Sequence, residues 1–385
     1  MRAAPARAGA RAVRARIEGY QMNTKNKTIF LAAFAATALA ACGGGGGSSS
    51  NPTGQTSSTG QTGSSGSTPQ PISLLAATGA AAGSPTLTGD VIADSFAYAN
   101  NKRAQLGLSV FKNIAQVNTA AANHALYMYD ANAVGHYEVA GQPGFTGVAP
   151  SDRVAAAGYT TNAVSEIAAG IGGPFTSSTE AVDSLFDAPF HRAIFIFDTT
   201  GVGFGQGPAN TDPTKYSTLV GDFVDYVQQT PDYKLVAYPY NGQTNVKPSW
   251  VANESPNPMS FYTADPTKYV GQTVGYPVTL SAAGNGAFSN ITFMIADAAG
   301  NAVPCQEVDN TTTSEAQRLA MCVPFAPLAA NTTYKVAVTG SLTNTSIPQA
   351  TAFSVNWSFT TGVAAAVQAR QLPAGSGTAL PPVFN

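Results

Sequence analysis

The sequence predicts an α+β protein in which helices pack on a sheet and a smaller all-β sandwich follows. Apolar residues recur at helical spacing between residues 90 and 186, and β-forming residues dominate from 193 to 226. Short strand-like runs separated by turn residues then fill residues 247–362. Helices followed by strands within one stretch of domain size are typical of a mixed α and β domain.

Charge excludes one class of partner. Only 10% of the 385 residues are charged, far below the roughly 25% of an average soluble protein. Residues 1–41 hold seven of the 19 Lys and Arg and one of the 21 acidic residues, which leaves 12 basic and 20 acidic side chains from residue 42 onward. Binding to nucleic acid needs a basic surface that displaces phosphate counterions. We therefore expect no nucleic-acid partner.

The N-terminal segment, residues 1–41, is typical of an export signal. Lys25 and Lys27 precede an apolar run, residues 29–41, that is too short to span a bilayer as a helix. Met22 is the natural start of this signal, and the Arg-rich residues 1–21 lie upstream of it. The run ends in Leu-Ala-Ala-Cys42, which resembles a bacterial lipobox and implies lipidation of Cys42; a plain secretory signal is the alternative. We expect a cell-envelope lipoprotein, held at the outer membrane and facing the periplasm or the outside.

Residues 42–88 predict a flexible tether, because Gly, Ser, Thr, Gln and Ala dominate them. The domain predicted at 89–245 opens with four helices. One lies between Asp90 and Leu108, a second is capped by Asn118, a third by Ser151, and a fourth by Ser178. Strands are expected at 193–197, around Val202 and Phe204, and at 216–226.

Residues 246–362 predict a β-sandwich, with strands at 277–281, 291–296, 334–339 and 355–360. Residues 328–334 and 357–362 resemble the final strands of bacterial Ig-like modules, which implies a spacer or an adhesive unit. Cys305 and Cys322 are expected to form a disulfide in an oxidising compartment, with two buried free thiols as the alternative. Residues 363–385 predict a loose tail.

Several short motifs between residues 90 and 225 resemble the CAP superfamily of cysteine-rich secretory, antigen and pathogenesis-related proteins in its bacterial form. They keep the order and spacing of that family and comprise Asn101-Lys102-Arg103, Gly107-Leu108, Ala121-Ala122-Asn123-His124, Tyr127-Met128, Gly135-His136, Asp152-Arg153, Gly158-Tyr159, Glu166, Ala188-Pro189-Phe190-His191-Arg192 and Gly201-Val202-Gly203. The resemblance implies an α/β/α sandwich with two His and two acidic residues in a central cleft, where some members bind a divalent cation.

Carried over residue by residue, the resemblance assigns His136, Glu166 and His191 to three of the four cleft positions. The fourth falls at Ala188, so Asp187 or Glu180 would have to substitute. Two imidazoles and a carboxylate can hold a divalent ion such as zinc with an open position for water. The structural alternative is that Glu166 only hydrogen-bonds to the two histidines and ties the helices to the sheet.

Three functions are compatible with these residues. The first is an envelope protein, anchored in the membrane by its lipid, that binds a small molecule, a lipid or a protein through the His and Glu cleft and is presented by the Ig-like spacer. The second is a metal-dependent hydrolase of an envelope polymer or peptide, with Glu166 as base. The third is an adhesin acting through residues 246–362. No catalytic motif such as G-x-S-x-G or H-E-x-x-H occurs, so binding is favoured over catalysis.

Overall fold

The computed structural model describes residues 70–363 and 383–384. The signal segment, Cys42, most of the predicted tether and residues 364–382 and 385 lie outside the described residues. Within the described residues there are five α-helices, α1 Val91–Gln105, α2 Ala115–Ala131, α3 Pro150–Ala156, α4 Glu180–Asp187 and α5 Pro189–Ile196. In this part of the chain no helix is both long and apolar enough to cross a membrane.

Sixteen strands are formed by the described residues. They are β1 Ser73–Leu74, β2 Lys112–Asn113, β3 Val164–Gly172, β4 Thr199–Gln206, β5 Tyr216–Tyr226, β6 Lys234–Tyr238, β7 Gln243–Val246, β8 Ser249–Val251, β9 Thr273–Gly275, β10 Val278–Ala282, β11 Ala287–Ala296, β12 Cys305–Val308, β13 Leu319–Pro324, β14 Thr333–Thr343, β15 Thr351–Thr361 and β16 Val383–Phe384. Strands β8 and β9 pair with each other alone.

The first sheet has the order β16-β3-β5-β4-β2, and its central strands β3, β5 and β4 are antiparallel. Alternate glycines on β4 let helix α2 lie directly on one face of this sheet. A Cβ atom added at Gly203 would lie 2.3 Å from the backbone of Val117, and one at Gly205 would lie 2.0 Å from the backbone of Ala122. The alternating glycines of this strand therefore serve helix packing.

The opposite face of the first sheet carries aromatic side chains that pack against α5. The rings of Phe204 and Phe223 lie 6.1 Å apart, and Phe195 of α5 lies 5.3 Å from Phe223, both in edge-to-face geometry. Helices thus cover both faces of the sheet, with α2 on one side and α5, together with α1 and α4, on the other.

Two further sheets form the β-rich C-terminal part. The second sheet has the order β1-β6-β10-β13-β12, and the third has the order β11-β14-β15-β7. The second sheet packs on the helices of the first region, because Arg192 of α5 donates to the carbonyl oxygen of Pro277 at 2.9 Å and its guanidinium lies 4.6 Å from the Tyr238 ring. Cys305 and Cys322 form the predicted disulfide between β12 and β13.

Six sequence-based expectations need correction. Residues 193–197 belong to helix α5, since a short apolar run does not separate strand from helix and Pro189 suits the first turn of a helix. Three expected helix caps are wrong. Helix α2 begins at Ala115, and Asn118 instead accepts a hydrogen bond from the backbone of Phe204. Ser151 lies inside α3, and Thr179 rather than Ser178 precedes α4. Residues 70–88 of the expected tether contain β1, which pairs with β6, and residues 383–384 of the expected loose tail pair with β3.

The strand β6 belongs by hydrogen bonding to the second sheet, although it precedes the predicted domain boundary at residue 245. It pairs with β10, with Ala237 opposite Leu280. The described residues of both regions form one compact unit. The first region and the β-rich part are therefore packed against each other, and residues of the candidate site come from both.

Candidate functional site

The centre of the candidate site is a hydrogen bond between His136 and Glu166. Glu166 lies near the start of β3 and its side chain is almost fully buried, whereas the His136 side chain is 32% exposed. Nδ1 of His136 lies 2.8 Å from Oε1 of Glu166. His136 lies in the irregular segment between α2 and α3, which starts at Asn132 in the left-handed conformation that ends α2. The structure therefore brings together two of the predicted cleft residues.

Arg153 of α3 holds the other oxygen of Glu166. Its Nη2 donates to Oε2 of Glu166, and its Nη1 donates to the backbone carbonyl of His136 at 3.1 Å. Arg153 is 1% exposed, so this ion pair is shielded from solvent. One buried guanidinium thus positions both the carboxylate and the loop that carries the histidine.

His124 and Glu138 extend this network below the surface. Nδ1 of His124 lies 3.0 Å from Glu138, and Nε2 lies 2.7 Å from the carbonyl oxygen of Gly135. Both ring nitrogens therefore face oxygen atoms at hydrogen-bonding distance, which holds the ring in one orientation. His124 is fully buried on α2, and it fixes the backbone of Gly135, the residue that precedes His136.

Asp222 of β5 lies directly opposite Glu166 of β3 in the first sheet. Burial, followed by the negative charge of Glu166, holds the pKa of Asp222 well above its ordinary value. Burial opposes ionisation of Glu166 as well, but hydrogen bonding from His136 and the charges of His124 and Arg153 keep the pKa of Glu166 below its ordinary value. Of the two facing carboxyl groups, Glu166 is therefore the one that ionises more readily.

His191 does not join this network through any hydrogen bond or ion pair of the described residues. Its Nδ1 lies 2.9 Å from Oε2 of Glu254, which lies in the loop after β8 and also accepts from the backbone of Phe190 at 3.2 Å. Both side chains are buried, and burial raises the pKa of Glu254 although His191 opposes the shift. An acid from the β-rich part thus pairs with the third predicted cleft residue.

The two candidates for the fourth acid serve other contacts. Asp187 accepts hydrogen bonds from Tyr276 at 2.8 Å and from Lys247 at 2.5 Å. Glu180 accepts from the backbone nitrogen of Thr176 at the start of α4. These contacts tie α4 to the β-rich part and to its own N-terminal loop.

A zinc-type centre does not fit these residues. Glu166 is committed to Arg153 and His136, and His191 is committed to Glu254. Among residues 70–363, no group of three or more His, Cys, Asp and Glu side chains is arranged to hold a metal ion. The polar group that this network leaves for a ligand is Nε2 of His136, which has no hydrogen-bond partner among the described residues.

Two members of these pairs, Asp222 and Glu254, were not expected from the sequence. A signal existed for Asp222, because the sequence places this charged residue directly before the apolar pair Phe223 and Val224 in a predicted strand. No signal existed for Glu254, which lies 63 residues beyond His191 and meets it only through the packing of the β-rich part.

One protein family matches the first region of the chain. Residues 96–223 match the profile of CAP, the cysteine-rich secretory protein family. No curated protein matches the chain. The mixed content of helix and strand agrees with the family match and confirms the predicted α+β fold class, with a β-rich part after the CAP region.

Parts of the chain are similar to several solved structures. An extracellular protein containing a SCP domain from Bacillus anthracis str. Ames shows 20% identity and a TM-score of 0.28, over 35% of this chain and 40% of that chain. An outer surface protein from Borrelia burgdorferi shows 17% identity and a TM-score of 0.28, over 34% of this chain and 90% of that chain. CopC from Methylosinus trichosporium OB3b shows 14% identity and a TM-score of 0.22, over 33% of this chain and 91% of that chain. The chain spans less than half of the B. anthracis protein.

Proposed function

We propose that this chain is a lipid-anchored protein of the cell envelope whose CAP region binds an amphipathic lipid beside His136. The observation that carries this proposal is the loop of His136, in which a partly exposed imidazole and several exposed apolar side chains belong to one segment. Cys42 provides the anchor, and the β-rich part, with the Ig-like architecture that the sequence predicts, acts as a spacer that presents the CAP region.

The apolar surface is formed by the loop between α2 and α3. Four large hydrophobic side chains of this loop are exposed, Tyr137 by 71%, Val139 by 61%, Phe145 by 37% and Val148 by 48%. The backbone nitrogen of Glu138 donates to the carbonyl oxygen of Val148, so these two parts of the loop lie side by side. Exposed apolar side chains that are concentrated in one segment mark an interaction site, whereas scattered single ones do not.

The polar half of the ligand meets His136. Because Nδ1 is held by Glu166, Nε2 accepts a hydrogen bond from a hydroxyl group when the ring is neutral and donates to an anionic head group when the ring is protonated. The buried Arg153 and Glu166 fix the ring, which lowers the entropy lost when a ligand binds.

A titration of the purified full chain with a fluorescent fatty acid tests this function. Val139→Ser removes exposed apolar area from the proposed surface, and we expect it to weaken binding by about fivefold or more. Val270→Ser is the matched control, since Val270 is 41% exposed and lies before β9. Equal binding by both variants, or no binding by the native chain, would contradict the proposed function.

A further inference from the structure

A groove of about 590 Å³ lies between the CAP region and the β-rich part, away from His136. Pockets of this size hold small organic ligands. Its walls come from the end of α5, the end of β5, the β10–β11 turn and the segment before β13. Its aromatic and polar lining includes Phe197, Tyr226, Asn285, Ser314, Gln317 and Arg318.

Three side chains of the groove form a stack. The rings of Phe197 and Tyr226 lie 4.9 Å apart with an angle of 15° between their planes. The guanidinium carbon of Arg318 lies 3.7 Å from the centroid of the Phe197 ring. Stacking on an aromatic ring orients a guanidinium plane and leaves its N–H groups at the edge for a ligand.

The backbone of Arg318 is held in an unusual conformation. Six non-glycine residues of the described chain have positive φ; five are Asn or Asp, and Arg318, at 61°, is the sixth. Its carbonyl oxygen accepts a hydrogen bond from the backbone of Ala282 at 2.8 Å, which fixes it beside the start of β13. Long side chains rarely adopt this conformation, and such strain concentrates where a side chain must be aimed at a ligand.

The guanidinium of Arg318 has no carboxylate within 4.0 Å among the described residues. The nearby Asp198 is occupied by Thr230, whose backbone nitrogen donates at 3.0 Å and whose hydroxyl donates at 2.9 Å. Burial lowers the pKa of Arg318 below its ordinary value, which indicates that this cation is poorly solvated where it stands. A ligand carboxylate would supply the missing partner.

Other polar groups of the groove are also uncommitted within the described chain. Asn285 accepts from Thr345 through Oδ1, but its amide nitrogen donates to no described residue. The side chains of Ser314 and Gln317 form no hydrogen bond to described residues. In the small cavity that adjoins the groove, the hydroxyl of Ser281 is buried and has no partner in the described part of the chain. These groups suit a ligand that carries several hydroxyls.

We infer that this groove binds a saccharide unit that carries a carboxylate. The carboxylate pairs with Arg318, the sugar ring lies against the aromatic stack, and the hydroxyl groups bond to the free amide and hydroxyl groups. Neutral sugars of the same size fit the groove but leave the guanidinium unpaired. This site is independent of the proposed lipid function.

The test uses two disaccharides that differ only in one carboxylate, a glucuronic acid-containing disaccharide and its neutral glucose counterpart, cellobiose. Calorimetric titration of the full chain should give at least about tenfold tighter binding of the acidic sugar. Arg318→Asn removes the charge and keeps a residue that tolerates positive φ, so the fold is retained. We expect this variant to bind both sugars equally weakly.

Lys335→Asn is the charge-matched control, because Lys335 lies on β14 eight residues from Thr343, the strand partner of Ala287 beside the groove. This variant should behave as the native chain does. The inference is overturned if the native chain binds the acidic sugar no better than cellobiose, or if Arg318→Asn retains the preference. Loss of the preference in both variants would also overturn it, because bulk charge would then explain the binding.

Discussion

Glu166 and Asp222 lie opposite each other on β3 and β5, and the pKa values of these two buried carboxyl groups are shifted in opposite directions. Because Glu166 is paired with Arg153 and His136, it ionises at a lower pH than Asp222 does. Replacing either residue by its amide should therefore change the pH dependence of stability, in opposite directions for the two positions.

Asp222→Asn should change the pH dependence of stability. The folded state keeps a proton on Asp222 above the pH at which the unfolded chain loses it, so native stability falls as pH rises from about 4 towards the raised folded pKa. Asn has no proton to lose. Relative to the native chain, the free energy of unfolding of the variant should therefore rise with pH, by at most about 1.4 kcal/mol per pH unit over that window. Urea unfolding at several pH values measures this difference. Parallel pH curves would contradict this assignment.

Glu166→Gln should destabilise the protein by about 1.5 to 3 kcal/mol at neutral pH, because it removes the carboxylate that accepts a hydrogen bond from the buried Arg153. The pKa of Glu166 is lowered on folding, so the native advantage is present above about pH 4.5 and is lost as pH falls through the folded pKa. The difference in the free energy of unfolding between the native chain and the variant, measured in urea, should therefore become smaller at acidic pH. A variant as stable as the native chain at neutral pH would be evidence against the ion pair.

Glu254→Gln should weaken the contact between α5 and the β-rich part. The glutamine keeps the volume but removes the charge that holds His191, and we expect a loss of about 1 to 3 kcal/mol in the free energy of unfolding. Glu315→Gln on the exposed surface is the control and should change stability little. If the two variants are equally stable, the buried pair does not stabilise the fold.

Cys42→Ser should abolish lipidation, because Cys42 is the remaining cysteine once Cys305 and Cys322 are joined. Cells labelled with a fatty-acid probe should show label on the native chain and none on the variant, which should also leave the membrane fraction. Label retained by the variant would refute the lipoprotein proposal.

Local patterns were enough to predict the helices α1 and α4, the strand β5 and the disulfide, because apolar spacing and compartment act over short stretches. The pairing of His136 with Glu166 was expected from the family resemblance. The Glu254 partner of His191 depends on the packing of two regions, which no local pattern encodes. Helix α5 was missed because its short apolar run suits either a helix or a strand.

The central claim, that His136 is the ligand-facing group of the CAP region, can be measured directly because the chain has only three histidines. Histidine-labelled full chain gives three imidazole signals in NMR spectra, and His124 and His191 are buried internal controls. A fatty acid titrated into the sample should shift the His136 signal in a saturable manner and leave the other two unchanged. An unmoved His136 signal, or equal shifts of all three, would contradict the claim.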